Sequence, residues 1–125
     1  MKLAVINTEL VLRDHYLPDA FVTAEDGIIS SLGEMKDAPD FTGYEVVDAK
    51  GLYTAPGLVD IHNHSAGTHW FYDEPEEACK ETLDYGTTTV LPTIYFSMTK
   101  EELIANFKRM QETMKKPEGA VIGGF

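Results

Sequence analysis

Three residues in the stretch Pro-Gly-Leu-Val-Asp-Ile-His-Asn-His, positions 56 to 64, carry side chains that can bind a cation or move a proton: Asp60, His62 and His64. Side chains along an extended strand alternate between its faces, so residues two apart share a face. On that pattern Asp60, His62 and His64 point one way, with the imidazoles about 6.6 Å apart along the strand, and Val59, Ile61 and Asn63 point the other. Two imidazoles so placed can converge on a single ion. A lone His-x-His is also met as two ordinary hydrogen-bonded histidines, so its meaning depends on the elements around it. The single cysteine, Cys79, excludes a disulfide framework and a cysteine zinc site within the chain, which leaves histidine and carboxylate to hold any metal.

The elements that must position these residues follow from local signals. Leu58 to His62 reads as a compact strand. Pro75, flanked by Glu74, Glu76 and Glu77, opens a helix, because proline suits the first helical turn and carboxylates favour the positive end of the helix dipole. Gly86 stops that helix, and β-branched Thr87 to Leu91 reads as a strand. Thr99 and Glu102 form a capping box ahead of Leu103, Ile104, Phe107, Met110 and Met114, which fall on one face of a helix running to about residue 115 as its core stripe. Pro117 and Gly119 end it, and Ala120 to Phe125 begins a third strand. Strand, helix, strand, helix, strand implies parallel pairing with right-handed crossovers. Val59 and Ile61 would then face packed helices, and the polar set would lie at the C-terminal end of its strand, where such folds build active sites.

The first 57 residues read differently. Leu3 to Ile6, Ala20 to Thr23, Ile28 to Leu32 and Tyr44 to Val47 are strand candidates, and Glu25-Asp26-Gly27 is a hairpin turn. No helix is evident there. The expected organisation is a β-rich unit over residues 1–54 followed by βα units over residues 55–125.

Ten basic against 21 acidic residues give a net charge of −11, shared by both halves, which repels nucleic acid and anionic membrane surfaces and speaks against both as partners. A small anionic substrate stays open, because a few local donors suffice to bind it. No apolar run approaches the roughly 20 residues that span a bilayer, and the first ten residues lack a signal-peptide core, so a cytoplasmic location is expected. The strand pattern stops at Phe125 with no covering helix, so the chain reads as the N-terminal part of a longer protein. Taken alone it is expected to be inactive and to self-associate through Val121 and Ile122, and a homo-oligomer is expected.

Asp48-Ala49, Gly51, Pro56-Gly57, Asp60, His62 and His64 together resemble the D-A-x-G-(x)-P-G-x-x-D-x-H-x-H segment that opens the barrel in the amidohydrolase superfamily. The resemblance extends to the N-acetylglucosamine-6-phosphate deacetylases: Gly86-Thr87-Thr88 with Leu91-Pro92-Thr93 looks like their second barrel strand, and Val121 to Phe125 like the run-in to their H-x-E-G-P motif. What this implies is an α/β fold comprising the first three βα units of a (β/α)8 TIM barrel, preceded by part of a small β-sandwich domain. It further implies that His62 and His64 hold a divalent metal, with zinc the expected ion, and that the reaction is amide hydrolysis of a small-molecule amino-sugar phosphate, N-acetylglucosamine 6-phosphate, to glucosamine 6-phosphate and acetate. Asp60 would orient a histidine from behind or sit in the barrel interior. The catalytic residues and remaining ligands would lie beyond Phe125. Ser65-Ala66-Gly67 stands where many members carry glycines, which bears on sugar specificity. Two other readings remain: a cyclic-amide hydrolase of the dihydroorotase or hydantoinase type, and a non-catalytic fragment. His69 and Trp70, in the loop after the histidine strand, are candidate substrate contacts. His15 reads as a surface histidine, Cys79 as a small core residue, and the acidic run from Asp73 to Asp84 as a solvated helix face.

Overall fold

Asp26 and Gly27 both adopt positive φ, 49° and 83°, the conformation of a two-residue turn whose twist matches the strands it joins. They are the hinge of a hairpin in a computed structural model that describes residues 1–125 and divides into two compact units, Met1–Pro56 and Gly57–Phe125. The first unit contains strands β1 (Lys2–Val11), β2 (Tyr16–Glu25), β3 (Ile28–Glu34), β4 (Glu45–Asp48) and β5 (Tyr53–Thr54), with a single 3-10 turn at Met35–Asp37. Its sheet runs β3-β2-β1-β4, and β5 also pairs with β1. The hairpin strands are antiparallel, whereas β4 and β5 lie parallel to β1. Strands here are longer than the short apolar runs suggest, because ladder pairing carries polar residues such as Thr8 and Thr23 into the interior. Thr8 is fully buried and satisfies its hydroxyl on the Leu52 carbonyl at 2.8 Å and on Thr54 Oγ1 at 2.7 Å, as a buried hydroxyl must.

The second unit contains β6 (Leu58–Asn63), a hairpin of two short strands β7 (Ser65–Ala66) and β8 (His69–Trp70), helix α1 (Pro75–Asp84), β9 (Thr87–Pro92), helix α2 (Lys100–Lys115) and β10 (Val121–Ile122). The sheet order is β10-β9-β6 with both pairings parallel, so each helix lies between consecutive strands of a parallel sheet. Pro75 occupies the first turn of α1, and Gly86, at φ 83°, follows its end. Thr99 and Glu102 form the reciprocal capping box of α2. The Thr99 backbone and hydroxyl donate to the Glu102 carboxylate, which lowers its pKa below the ordinary 4.5. Phe71, Ala78, Cys79, Val90, Met110, Ala120 and Ile122 form the core. Burial raises the Cys79 thiol to about 11, so it is an inert core group.

Three expectations need correction. The buried residues of α2 are Asn106, Met110 and Thr113, while Ile104 and Met114 are exposed; the helix is rotated so that its polar–apolar border, not the centre of the apolar arc, meets the sheet. The third strand is only Val121–Ile122, and Ile122 is packed into the core, which leaves Val121 alone of that pair as an exposed contact. Val59 and Ile61 are 62% and 74% exposed instead of packed under helices. They belong to β6, on which neither helix chiefly packs: α1 lies against β9 and α2 against β10, so Val90 and Ile122 supply the strand side chains of the helix-packed core.

Candidate metal centre

The alternation expected of β6 does not run unbroken to His64. The register of β6 against β9 shifts between Leu58 and Val59 and again between Asp60 and Asn63, and the second shift has a visible cause. Asp60 Oδ1 accepts the His62 backbone N–H at 3.1 Å and Asp60 Oδ2 accepts the Asn63 side-chain amide at 3.0 Å. The carboxylate thus supplies His62 with the partner that a ladder bond would give. Asp60 braces the main chain under His62. Asn63 continues the support, its Oδ1 accepting the Ser65 N–H at 3.1 Å and its carbonyl accepting the Thr93 N–H at 2.7 Å.

Beyond this irregular strand the two imidazoles meet edge to face, with centroids 5.2 Å apart and planes at 85°. Two imidazoles bound tetrahedrally to one zinc ion at 2.0–2.1 Å have centroids about 5 Å apart, so the separation fits a shared ion. The protonation of His64 is set by its partner. Nδ1 lies 2.8 Å from the Thr93 carbonyl oxygen, which can only accept, so Nδ1 carries the hydrogen and a neutral ring offers its lone pair at Nε2. A carbonyl holding the distal nitrogen is the usual support of a metal-binding histidine. His62 is held more loosely: its Nδ1 is 3.4 Å from Thr93 Oγ1, and it is exposed. No group of three or more His, Cys, Asp or Glu side chains converges in the chain, so His62 and His64 stand as a pair with no third such side chain beside them.

His64 is pinned from two further sides. Its carbonyl accepts the Phe71 N–H at 3.2 Å, and Tyr95 stands against its ring, centroids 6.0 Å apart at 84°. Tyr95 in turn meets Trp70 at 6.0 Å. Sequence reasoning identified the histidines but not Thr93 or Tyr95 as their supports; Thr93 lay in a recognised motif, while a lone tyrosine after a strand carries no signal. Trp70 therefore borders the pair through Tyr95. His69 does not turn toward it: its Nδ1 is 3.0 Å from Glu74 Oε2 at the start of α1. His15 pairs with the adjacent Asp14 on the surface of the first unit.

The Glu74 contact raises the His69 pKa above the ordinary 6.5, chiefly through that hydrogen bond and with help from the charges of Glu74, Glu81 and Glu77 against the opposing effect of desolvation. A histidine that binds its proton more tightly when folded adds stability fully below pH about 6.5, and that stability is lost as pH rises through the raised folded value. Urea unfolding of the wild type and His69→Gln at pH 5.5 and pH 8.5 should therefore show a stability difference that is larger at the lower pH. A difference that is flat or grows with pH would contradict this.

No protein-family model matches the chain. Dihydroorotase from Enterococcus faecalis is 34% identical over 87 residues, covering 70% of this chain and 18% of that protein. Adenine deaminase from Thermosipho africanus is 45% identical over 49 residues, covering 39% and 8%. The crystal structure of N-acetylglucosamine-6-phosphate deacetylase from Pasteurella multocida aligns with a TM-score of 0.77 at 22% identity, over 94% of this chain and 32% of that one, a likeness of fold. The chain spans less than a third of each of these proteins. With the parallel α/β unit and the histidine pair, these likenesses make the chain similar to members of the amidohydrolase superfamily.

Proposed function

We propose that this chain is the metal-binding opening of a TIM-barrel amide hydrolase, and the observation that carries the proposal is the His62–His64 pair with its 5.2 Å separation and the hydrogen of His64 fixed on Nδ1. His62 and His64 would hold a divalent ion, zinc in the first instance. Such an ion, when bound, activates water and polarises the carbonyl under attack. The chain's own residues prepare for it. Thr93 orients His64, Asp60 and Asn63 fix the main chain beneath the pair, and His62 keeps freedom to adjust as the ion arrives. Catalytic zinc generally takes three protein ligands and an open position, so the reaction belongs to the enzyme that contains this chain, not to these 125 residues alone.

The proposed substrate is N-acetylglucosamine 6-phosphate, hydrolysed to glucosamine 6-phosphate and acetate; the resemblance of Gly86-Thr87-Thr88 with Leu91-Pro92-Thr93 and of Val121 to Phe125 to the motifs of such deacetylases supports it. A second reading, hydrolysis of a cyclic amide, is favoured by the 34% identity to a dihydroorotase. Both need the same ion and differ in the bond cleaved. The enzyme containing this chain, loaded with zinc, should release acetate from N-acetylglucosamine 6-phosphate, and dihydroorotate should be left unchanged. Turnover of dihydroorotate alone would transfer the assignment to the second reading, and zinc-independent turnover of either would overturn both.

A further inference from the structure

We infer that Tyr95 is a positioning residue for His64: its ring, braced by Trp70, holds the imidazole in the orientation that keeps Nδ1 on the Thr93 carbonyl and leaves Nε2 free for the ion. The inference rests on reading His62 and His64 as metal ligands. An imidazole fixed by one hydrogen bond can still turn about its Cβ–Cγ bond, and a half-turn would put a carbon where Nδ1 donates. Tyr95 opposes that rotation. Its ring meets the His64 ring at 84° with centroids 6.0 Å apart, the edge-to-face arrangement that aromatic charge distributions favour.

Tyr95 is itself held. Trp70 packs against it at 6.0 Å and 69°, and Phe96 at 4.9 Å. Trp70 is placed by its pairing with Ser65 across the β7–β8 hairpin and by Tyr72 at 5.4 Å. Ser65 is the residue after His64, so the contacts form a closed loop from the His64 backbone through the hairpin and two aromatic rings to the His64 side chain. Tyr95 and Trp70 are each 39% exposed, so neither is required to fill the core. His62 has no comparable bracket beyond the His64 ring and the long contact to Thr93. The pair therefore consists of one preset ligand and one adjustable ligand.

The test is made on the 125-residue chain without metal, at a pH well above the ordinary histidine range, by nitrogen-15 NMR of the histidine rings. Wild type should show His64 as a single Nδ1–H tautomer, Tyr95→Ala a mixture of tautomers, and Tyr95→Phe the wild-type pattern, because the contact uses the ring and not the hydroxyl. Zinc affinity, measured by competition with a chelator, should fall about three- to tenfold in Tyr95→Ala, the range of one aromatic contact, and recover in Tyr95→Phe. Trp70→Phe, which keeps a ring at that position, should lie between wild type and Tyr95→Ala in both readouts. Circular dichroism confirms that each variant is folded. An unchanged tautomer and unchanged affinity in Tyr95→Ala would overturn the inference. Absence of zinc binding by wild type would instead remove the metal reading, and the tautomer comparison would still decide whether Tyr95 sets the ring.

Discussion

On the proposed function, replacing both His62 and His64 by alanine should abolish zinc binding and amide hydrolysis in an enzyme that contains this chain, with little change in stability. A bound ion supplies several kcal/mol of transition-state stabilisation, and each 1.36 kcal/mol is a factor of ten in rate, so the fall in turnover should reach at least about a thousandfold. The fold should survive because neither ring belongs to the core of the second unit, which is built from Phe71, Ala78, Cys79, Val90, Met110, Ala120 and Ile122. Substitutions away from a core and its buried networks usually change stability by no more than about 0.5 kcal/mol. His64 does give up its bond to the Thr93 carbonyl, so His64→Ala should be the more destabilising single change, and also the one that weakens zinc binding more, since it removes the preset ligand. Metal content, acetate release and urea unfolding measured on the same preparations separate the two effects. A double variant that keeps its zinc and its turnover would remove the histidine pair from the chemistry.

Legibility in the sequence followed the range of the interactions concerned. The order of strands and helices in the second unit could be read because its punctuation is local: Pro75 in the first turn of α1, Gly86 at positive φ beyond its end, and Thr99 with Glu102 three residues on at the start of α2. The histidine spacing could be read for the same reason. What depended on contacts between distant segments could not. Strand alternation predicts covered Val59 and Ile61, yet the helices pack chiefly on β9 and β10 and leave that face of β6 open. The two-residue strands β7 and β8 are too short to show a period, so the hairpin that carries Trp70 was invisible. Thr93 and Tyr95 reach His64 across some thirty residues of chain, and no spacing rule connects them. The helical period of α2 was right, but the arc of Leu103, Phe107 and Met110 has edges, and which edge turns to the sheet depends on what the sheet presents.

Gly119 illustrates the same limit and yields the larger of the expected stability effects. As sequence it reads as a stop after α2. In the structure a Cβ on Gly119 would stand 2.4 Å from the Cys79 carbonyl carbon and 2.5 Å from both the Cys79 oxygen and the Lys80 nitrogen. Those are backbone atoms of α1, so no change of rotamer relieves the overlap; the helix or the segment leading to β10 must move. The same place is tied by the Ala120 N–H donating to the Cys79 carbonyl at 2.9 Å, and Ala120 and Ile122 behind it are core residues. Gly119→Ala should therefore combine overpacking, typically about 1–3 kcal/mol, with strain or loss of a hydrogen bond worth about 1 kcal/mol, for a loss of roughly 2–4 kcal/mol. Gly124 is the control, because a Cβ there meets nothing within 4 Å, and Gly124→Ala should be neutral or slightly stabilising through the lower entropy of the unfolded chain. Urea unfolding of the two variants beside wild type decides the matter. Equal midpoints for the two would mean that the segment before β10 yields without cost and that its close approach to α1 does not hold the second unit together.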